Sequence, residues 1–172
     1  MPRPCATTSA ASSARMPELL RSAEPADLPR IAALARWVWL DSYAAQGVSN
    51  SFAAYVERAF APDRLNGPMW VIEEGEFLLA WAQLDPQAEQ GVELTRLYVA
   101  PRCQGRGLGA RLLRHVREHD PRRPLWLSAW EGNDGALRFY RREGASLLGE
   151  TWFELDGQRH RNEVLGWEAL QP

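Results

Sequence analysis

Residues 98–116 read "YVAPRCQGRGLGARLLRHV". An apolar stretch ends at Ala100. Glycine then stands at 105, 107 and 109, and Leu108, Leu112, Leu113 and Val116 follow at helical spacing. The order is strand, glycine-rich turn, helix. A helix start carries unpaired amides and about half a positive charge, so it attracts anions, phosphate above all. Glycine removes the Cβ from the path of approach and accepts backbone angles that other residues resist. The turn therefore reads as an anion cradle, with Arg102 and Arg106 adding charge at its rim. The plainer alternative is a tight connection in which glycine serves only the turn. A dinucleotide fingerprint fits poorly, because the spacing is G-x-G-x-G, a hairpin pattern precedes it, and position 125 is leucine rather than an acid.

Working outward, "VELTRLYVA" at 92–100 predicts a strand with Leu94, Arg96 and Tyr98 on one face and Glu93, Thr95, Leu97 and Val99 on the other. "MWVIEE" and "EFLLAWAQL" before it form a hairpin about Gly75. Further upstream, "ELLRSAE" reads as a short strand, Asp27 as the cap of a helix running toward Gly47, and Ser51 as the cap of a second helix, "SFAAYVERAF". Downstream, "PLWLSAW" is a buried strand and "NDGALRFYRREG" a short helix capped by Asn133 and stopped at Gly144. "SLLGETWFEL" and "HRNEVLGWEAL" close the chain as a hairpin about Asp156-Gly157. No repeat, linker or second domain interrupts this order. The result is one mixed α/β (α+β) domain over residues 17–172, with a tail at 1–16.

Two segments at this separation, V-x-P-x-x-Q-x-x-G-x-G from Val99 and N-D-G-A-x-x-F-Y from Asn133, resemble the GCN5-related N-acetyltransferase (GNAT) superfamily. The resemblance runs from about residue 17 to 170. Within it, "YVERAF" and "LWLSAWEGNDGALRFYRREG" look like the PaiA-type polyamine N-acetyltransferases. It implies a central sheet of about seven strands flanked by about four helices, and acetyl-CoA as co-substrate in a wedge between strands four and five. It also implies direct acetyl transfer to an amine in a ternary complex. Leu97 and Val99 would pair with the pantetheine amides. Backbone amides of Gln104, Gly105, Arg106, Gly107, Leu108, Gly109 and Ala110 would hold the pyrophosphate, and Asn133 and Ala136 would line the thiol end. Arg142 could reach the ribose phosphate.

An alkyl ammonium with a pKa near ~10 must lose a proton before it attacks, and the departing thiolate is best given one. Tyr140 stands where the family carries its general acid; the alternative is a core aromatic. Glu93, eleven residues before Gln104, has the offset of the base in the family's histone acetyltransferases. The alternative for Glu93 is an ordinary strand acid. Acceptor choice in this fold falls to the first helices and the last hairpin, which points to Trp37, Trp39, Tyr43 and Trp152. A polyamine or other small amine is the first-choice acceptor, and a peptide amine or an amine-bearing antibiotic or toxin the runner-up. Thr95 departs from the acid that many polyamine enzymes place there, so Glu131, Glu73 and Asp41 are named as substitutes for its charge. A non-catalytic acetyl-CoA sensor is the alternative from another class.

Composition sets the remaining bounds. With 20 basic against 22 acidic residues, the net charge of −2 offers no field for nucleic acid or an anionic membrane. Every basic residue is arginine, which excludes a P-loop lysine or a Schiff base. Two cysteines, Cys5 and Cys103, make no disulfide framework and suit a reducing, cytoplasmic setting. "MPRPCATTSAASSAR" lacks the apolar run of a secretory signal; it reads as a tail or an over-early start before Met16, with a transit peptide as the alternative. "HVREH" at 115–119 matches H-x-x-E-H, but no third ligand accompanies it, and no metal is expected. The family often forms homodimers, yet no interface is legible.

Overall fold

The computed structural model describes residues 16–44, 46–155 and 157–170. The tail and Cys5 therefore lie outside the described residues, as does Asp156 of the closing turn. The chain runs β1 (Glu18–Ser22), α1 (Leu28–Tyr43), α2 (Asn50–Ala59), β2 (Met69–Glu74), β3 (Phe77–Asp85) and β4 (Val92–Val99). It continues through α3 (Leu108–His119), β5 (Leu125–Trp130), α4 (Asp134–Arg142), β6 (Ser146–Leu155) and β7 (Gln158–Trp167). This is the expected order. The strands form one seven-stranded sheet, β1-β2-β3-β4-β5-β7-β6, antiparallel throughout except where β4 meets β5.

Alternation along the central strands builds two cores. Trp70, Ile72, Ala80 and Ala82 face α3 and α4, where they meet Leu108, Leu112, Leu113, Val116 and Leu137. Val71 and Trp81 face the other way, onto Ile31, Ala35 and Val38 of α1 and Phe52 and Val56 of α2. Both faces are covered, so the inner strands are apolar on both sides.

Three local expectations are corrected. Ser49, not Ser51, caps α2, its hydroxyl accepting the Phe52 N–H at 3.1 Å. Asp27 does not cap α1 through its side chain. It is buried instead, accepting the Glu24 N–H at 2.9 Å and bridging Arg21 and Arg30, both of which also bind Glu73. Strict alternation in β4 also fails. Gln83 opposes Arg96 and Leu84 opposes Leu94, which leaves Thr95 as a bulge. The extra residue resets the parity. Leu94, Leu97 and Val99 consequently share the α3/α4 face, while Tyr98 joins the α1/α2 face with its register partner Trp81. Arg96 stacks on Phe60 of that same face.

Candidate active site

The parallel pair β4–β5 is short. Register is kept only at Val92–Leu125 and Glu93–Trp126, although β5 stays paired with β7 from Leu125 to Trp130. Beyond Glu93 the two strands part, and among the described residues no strand pairs with the β5-facing edge of β4 from Leu94 to Val99. Backbone amides and carbonyls on such an edge need partners, and an extended ligand with amides of its own can supply them as an added strand. Leu97 and Val99 lie on this edge.

At the open end of the parting stands the start of α3. Gly105 and Gly107 take φ of +76° and +80°, the left-handed region that favours glycine. A Cβ at either position would meet nothing within 4 Å, so backbone angle rather than packing demands glycine there. Gly109 differs: its Cβ would lie 3.3 Å from Phe139 and 3.6 Å from Leu97, so glycine there lets α3 approach α4 and β4. No side chain caps α3, which leaves the first-turn amides to solvent or a ligand. A pyrophosphate fits these residues.

The charged rim is thinner than expected. The Arg106 guanidinium binds Glu18 at 2.5 Å and Glu74 at 3.0 Å, so only its backbone amide is left for the expected cradle. Leu108 is a core side chain and likewise offers only backbone. Gln104 is exposed, its amide 3.5 Å from the Val99 carbonyl. Arg102 is exposed, and Arg142 lies over the Phe139 ring at 5.6 Å.

Two of the side chains singled out from sequence belong to α4 and its cap. Asn133 caps it, its Oδ1 accepting the Ala136 N–H at 3.1 Å while its Nδ2 lies 3.5 Å from the Tyr43 hydroxyl. Tyr140 is 8% exposed, packed edge-on to Phe139 and Trp167 at 5.1 and 6.2 Å. Its hydroxyl makes no hydrogen bond among the described residues. Burial pushes its pKa well above the ordinary phenol range, so it holds its proton firmly at neutral pH. Burial, and after it the nearness of Tyr43, opposes ionisation of both Tyr98 and Tyr140.

Glu93 occupies the last paired position of β4, where the wedge opens. It is half-buried and opposes Asp85 of β3. Burial first, then the Asp85 charge, raises its pKa, against the pull of Arg96. That direction brings a carboxylate closer to the range useful in a base at neutral pH.

The side of the sheet expected to choose the acceptor is aromatic. Trp39 packs on Tyr43, Tyr55 and Phe52 at 4.5, 4.8 and 5.3 Å. Tyr43 continues to Trp130 and Tyr55 to Phe153, each at 5.5 Å. The structure thus brings Trp39 and Tyr43 together, with the Tyr43 hydroxyl beside Asn133 at the start of α4. Trp37 is 46% exposed and Asp41 is exposed as well, both outside this group. Trp152 is half exposed beneath Arg159, whose guanidinium lies 4.7 Å from its ring. Glu131 pairs with Arg161 at 3.3 Å, and Glu73 is held by Arg21 and Arg30. Tyr55, Tyr98, Trp130 and Phe153 were not singled out from sequence. Tyr98 was hidden by the bulge, and the others meet only through tertiary packing. His115 and His119 both lie edge-on to Trp70, at 5.6 and 4.7 Å.

The sequence profile of the acetyltransferase (GNAT) family matches residues 31–145. An uncharacterised N-acetyltransferase of Lactobacillus delbrueckii subsp. lactis is 27% identical over 157 residues, 81% of this chain and 90% of that protein. The peptidyl-lysine N-acetyltransferase YiaC of Escherichia coli K12 is 25% identical, over 89% of this chain and 99% of its own. Among solved structures, the PaiA N-acetyltransferase of Thermoplasma acidophilum in complex with coenzyme A has the same fold, with a TM-score of 0.70 at 17% identity, over 89% of this chain and 99% of that one. With the parted strands and the uncapped glycine-rich helix start already in view, the profile match leads to one assignment: the chain belongs to the acetyltransferase (GNAT) family.

Proposed function

We propose that this acyltransferase moves an acetyl group from acetyl-CoA to the primary amine of a small acceptor, by direct attack in a ternary complex. The observation that carries the reading is the β4–β5 pair, closed for two register positions and then open, beside an α3 start whose amides no side chain caps. Amides from Gln104 to Ala110 would hold the pyrophosphate, the β4 edge at Leu97 and Val99 the pantetheine, and Asn133 with Ala136 its thiol end. Bound there, acetyl-CoA supplies an acetyl group activated as a thioester.

Glu93 takes the ammonium proton, directly or through water, freeing the nitrogen lone pair. Tyr140 donates its phenolic proton to the departing sulfur, a role that needs a phenol still protonated at neutral pH. The ammonium loses two protons in becoming an amide, one to Glu93 before attack and one to solvent as the tetrahedral adduct collapses. The sulfur takes one from Tyr140, which is reprotonated from solvent as Glu93 discharges to it, so each turnover releases one proton. Asn133 fixes the start of α4 and hence the Tyr140 ring.

The likeness of "LWLSAWEGNDGALRFYRREG" to the PaiA-type enzymes supports a small-molecule amine, with polyamines in the first panel to be tried. The test is release of free thiol from acetyl-CoA with a panel of primary amines, read against an acceptor-free blank, with the acetylated product identified by mass. Acceptor-dependent release that drops in Tyr140→Phe supports the proposal. Acetyl-CoA binding without transfer to any amine would turn it toward a sensor.

A further inference from the structure

We infer that the amine acceptor also carries an oxyanion, seated on Arg58, Arg64 and Arg96 in a cavity beside the wedge. This rests on the acetyl-transfer reading for what happens to the amine, but not for how the anion is held. The cavity, about 340 Å³, is lined by Tyr55, Arg58, Ala59, Arg64 and Arg96. Three of its five lining residues are arginines, and none is an acid.

Elsewhere in the chain, arginines are mostly matched to carboxylates: Arg21 and Arg30 to Asp27 and Glu73, Arg106 and Arg111 to Glu18, Arg141 to Glu163. The cavity's arginines are not. Arg58 and Arg64 are exposed and make no hydrogen bond or ion pair among the described residues. Arg96 is half-buried and aimed by neutral groups, donating to Gln83 Oε1 at 2.7 Å and the Ala59 carbonyl at 3.3 Å while stacking on Phe60 at 5.5 Å. Neutral acceptors orient a guanidinium without cancelling its charge, which leaves it available to a bidentate oxyanion.

The cavity adjoins the chemistry. Tyr55 in its wall touches Trp39, Trp39 touches Tyr43, and the Tyr43 hydroxyl lies 3.5 Å from Asn133 Nδ2 at the start of α4. Arg96 stands three residues from Glu93 on β4, close enough for its charge to act on that carboxyl. Glu93 for the ammonium and the arginine cavity for the oxyanion together match a zwitterion, such as an α-amino acid or an aminophosphonate. The same field opposes a polycation, and Glu73 and Glu131, expected from sequence to compensate, are paired with other arginines.

The experiment uses matched acceptors that differ only in the oxyanion: phenylalanine against phenethylamine, and 2-aminoethylphosphonate against ethylamine, with spermidine beside them. The readouts are kcat/KM by thiol release and, separately, calorimetric affinity of each acceptor for the CoA-loaded protein. The expected result is at least about a tenfold preference for the anionic member of a pair, the scale of one charge-assisted contact. In Arg58→Gln and Arg64→Gln, both at exposed positions, that ratio should shrink toward one, and the affinity ratio should shrink with it. The phosphonate and carboxylate arms decide which oxyanion fits best. Equal binding of both members of each pair, ratios untouched by the substitutions, or a preference for spermidine overturns the inference. Selective binding without thiol release from any acceptor would uphold the anion seat and overturn acetyl transfer instead.

Discussion

The sheet face covered by α3 and α4 and the face covered by α1 and α2 are made of different materials. The first is mainly aliphatic, with Trp70 and Trp167 among its leucines and valines, and the groups proposed to act there are mainly backbone: the β4 edge, the amides around Gly105 and Gly107, and one phenol from α4. The second is aromatic and charged. Trp39, Tyr43, Tyr55, Phe60 and Tyr98 pack together there, with matched arginines at Asp27 and unmatched ones at the Tyr55 cavity. A backbone site suits a ligand whose recognised parts, pyrophosphate and amides, are invariant. A side-chain site suits a ligand that differs from one family member to the next. On the proposed reading, the first is the donor face and the second the acceptor face.

The sharpest way to break that division is Tyr140→Phe, which keeps the ring and removes the proton. We expect kcat to fall about 100-fold or more with acetyl-CoA affinity unchanged, as measured by steady-state kinetics and calorimetry. An equal loss in both would make Tyr140 a packing residue.

Next comes Asp27→Asn, which tests whether the matched arginine cluster is purely structural. Its arginine partners, Arg21 and Arg30, are 25% and 37% exposed, so the expected cost is about 2 kcal/mol, below that of a fully buried pair, with no change in KM for either substrate. The Arg21 and Arg30 guanidiniums hold the Asp27 carboxyl well below the usual carboxylate range. Its contribution is therefore complete above the unfolded value of ~3.9 and disappears as pH falls through the lower folded value. The melting-temperature gap between wild type and variant should be constant near neutrality and close only below pH ~4.

A smaller effect, roughly tenfold in kcat/KM, is expected for Glu93→Gln. Because burial raises the Glu93 carboxyl, the acid limb of the wild-type pH profile should lie above the ordinary glutamate value of ~4.3, and the variant should lose that limb. A limb unchanged in the variant would remove Glu93 as the base. Least is expected of Gly107→Ala. Forcing a Cβ into φ +80° costs about 1 kcal/mol and should weaken acetyl-CoA about fivefold, whereas amine KM stays constant.

Much of the donor face was legible in the sequence because its requirements are local. Glycines at 105 and 107, the apolar run before them and the leucine stripe after them are contiguous, and the Asn133 cap sits within three residues of its partner. The acceptor face resisted for physical reasons. The Thr95 bulge follows from how β4 registers on β3, and one extra residue moved Leu94 to the face of Leu97 and Val99. Arg106, beside the glycines in sequence, is claimed by Glu18, eighty-eight residues away. The cavity joins residues of α2 and β4 with Arg64 from the segment after α2, and no periodicity within any one of these announces the others.

The central claim is that acetyl-CoA lies along β4 and at the start of α3. Hydrogen–deuterium exchange with and without acetyl-CoA tests it most directly. The account predicts added protection within residues 94–99 and 104–110 and none in the β1–β2 pair. Binding that leaves both segments unprotected, or protects β1–β2 instead, would contradict it.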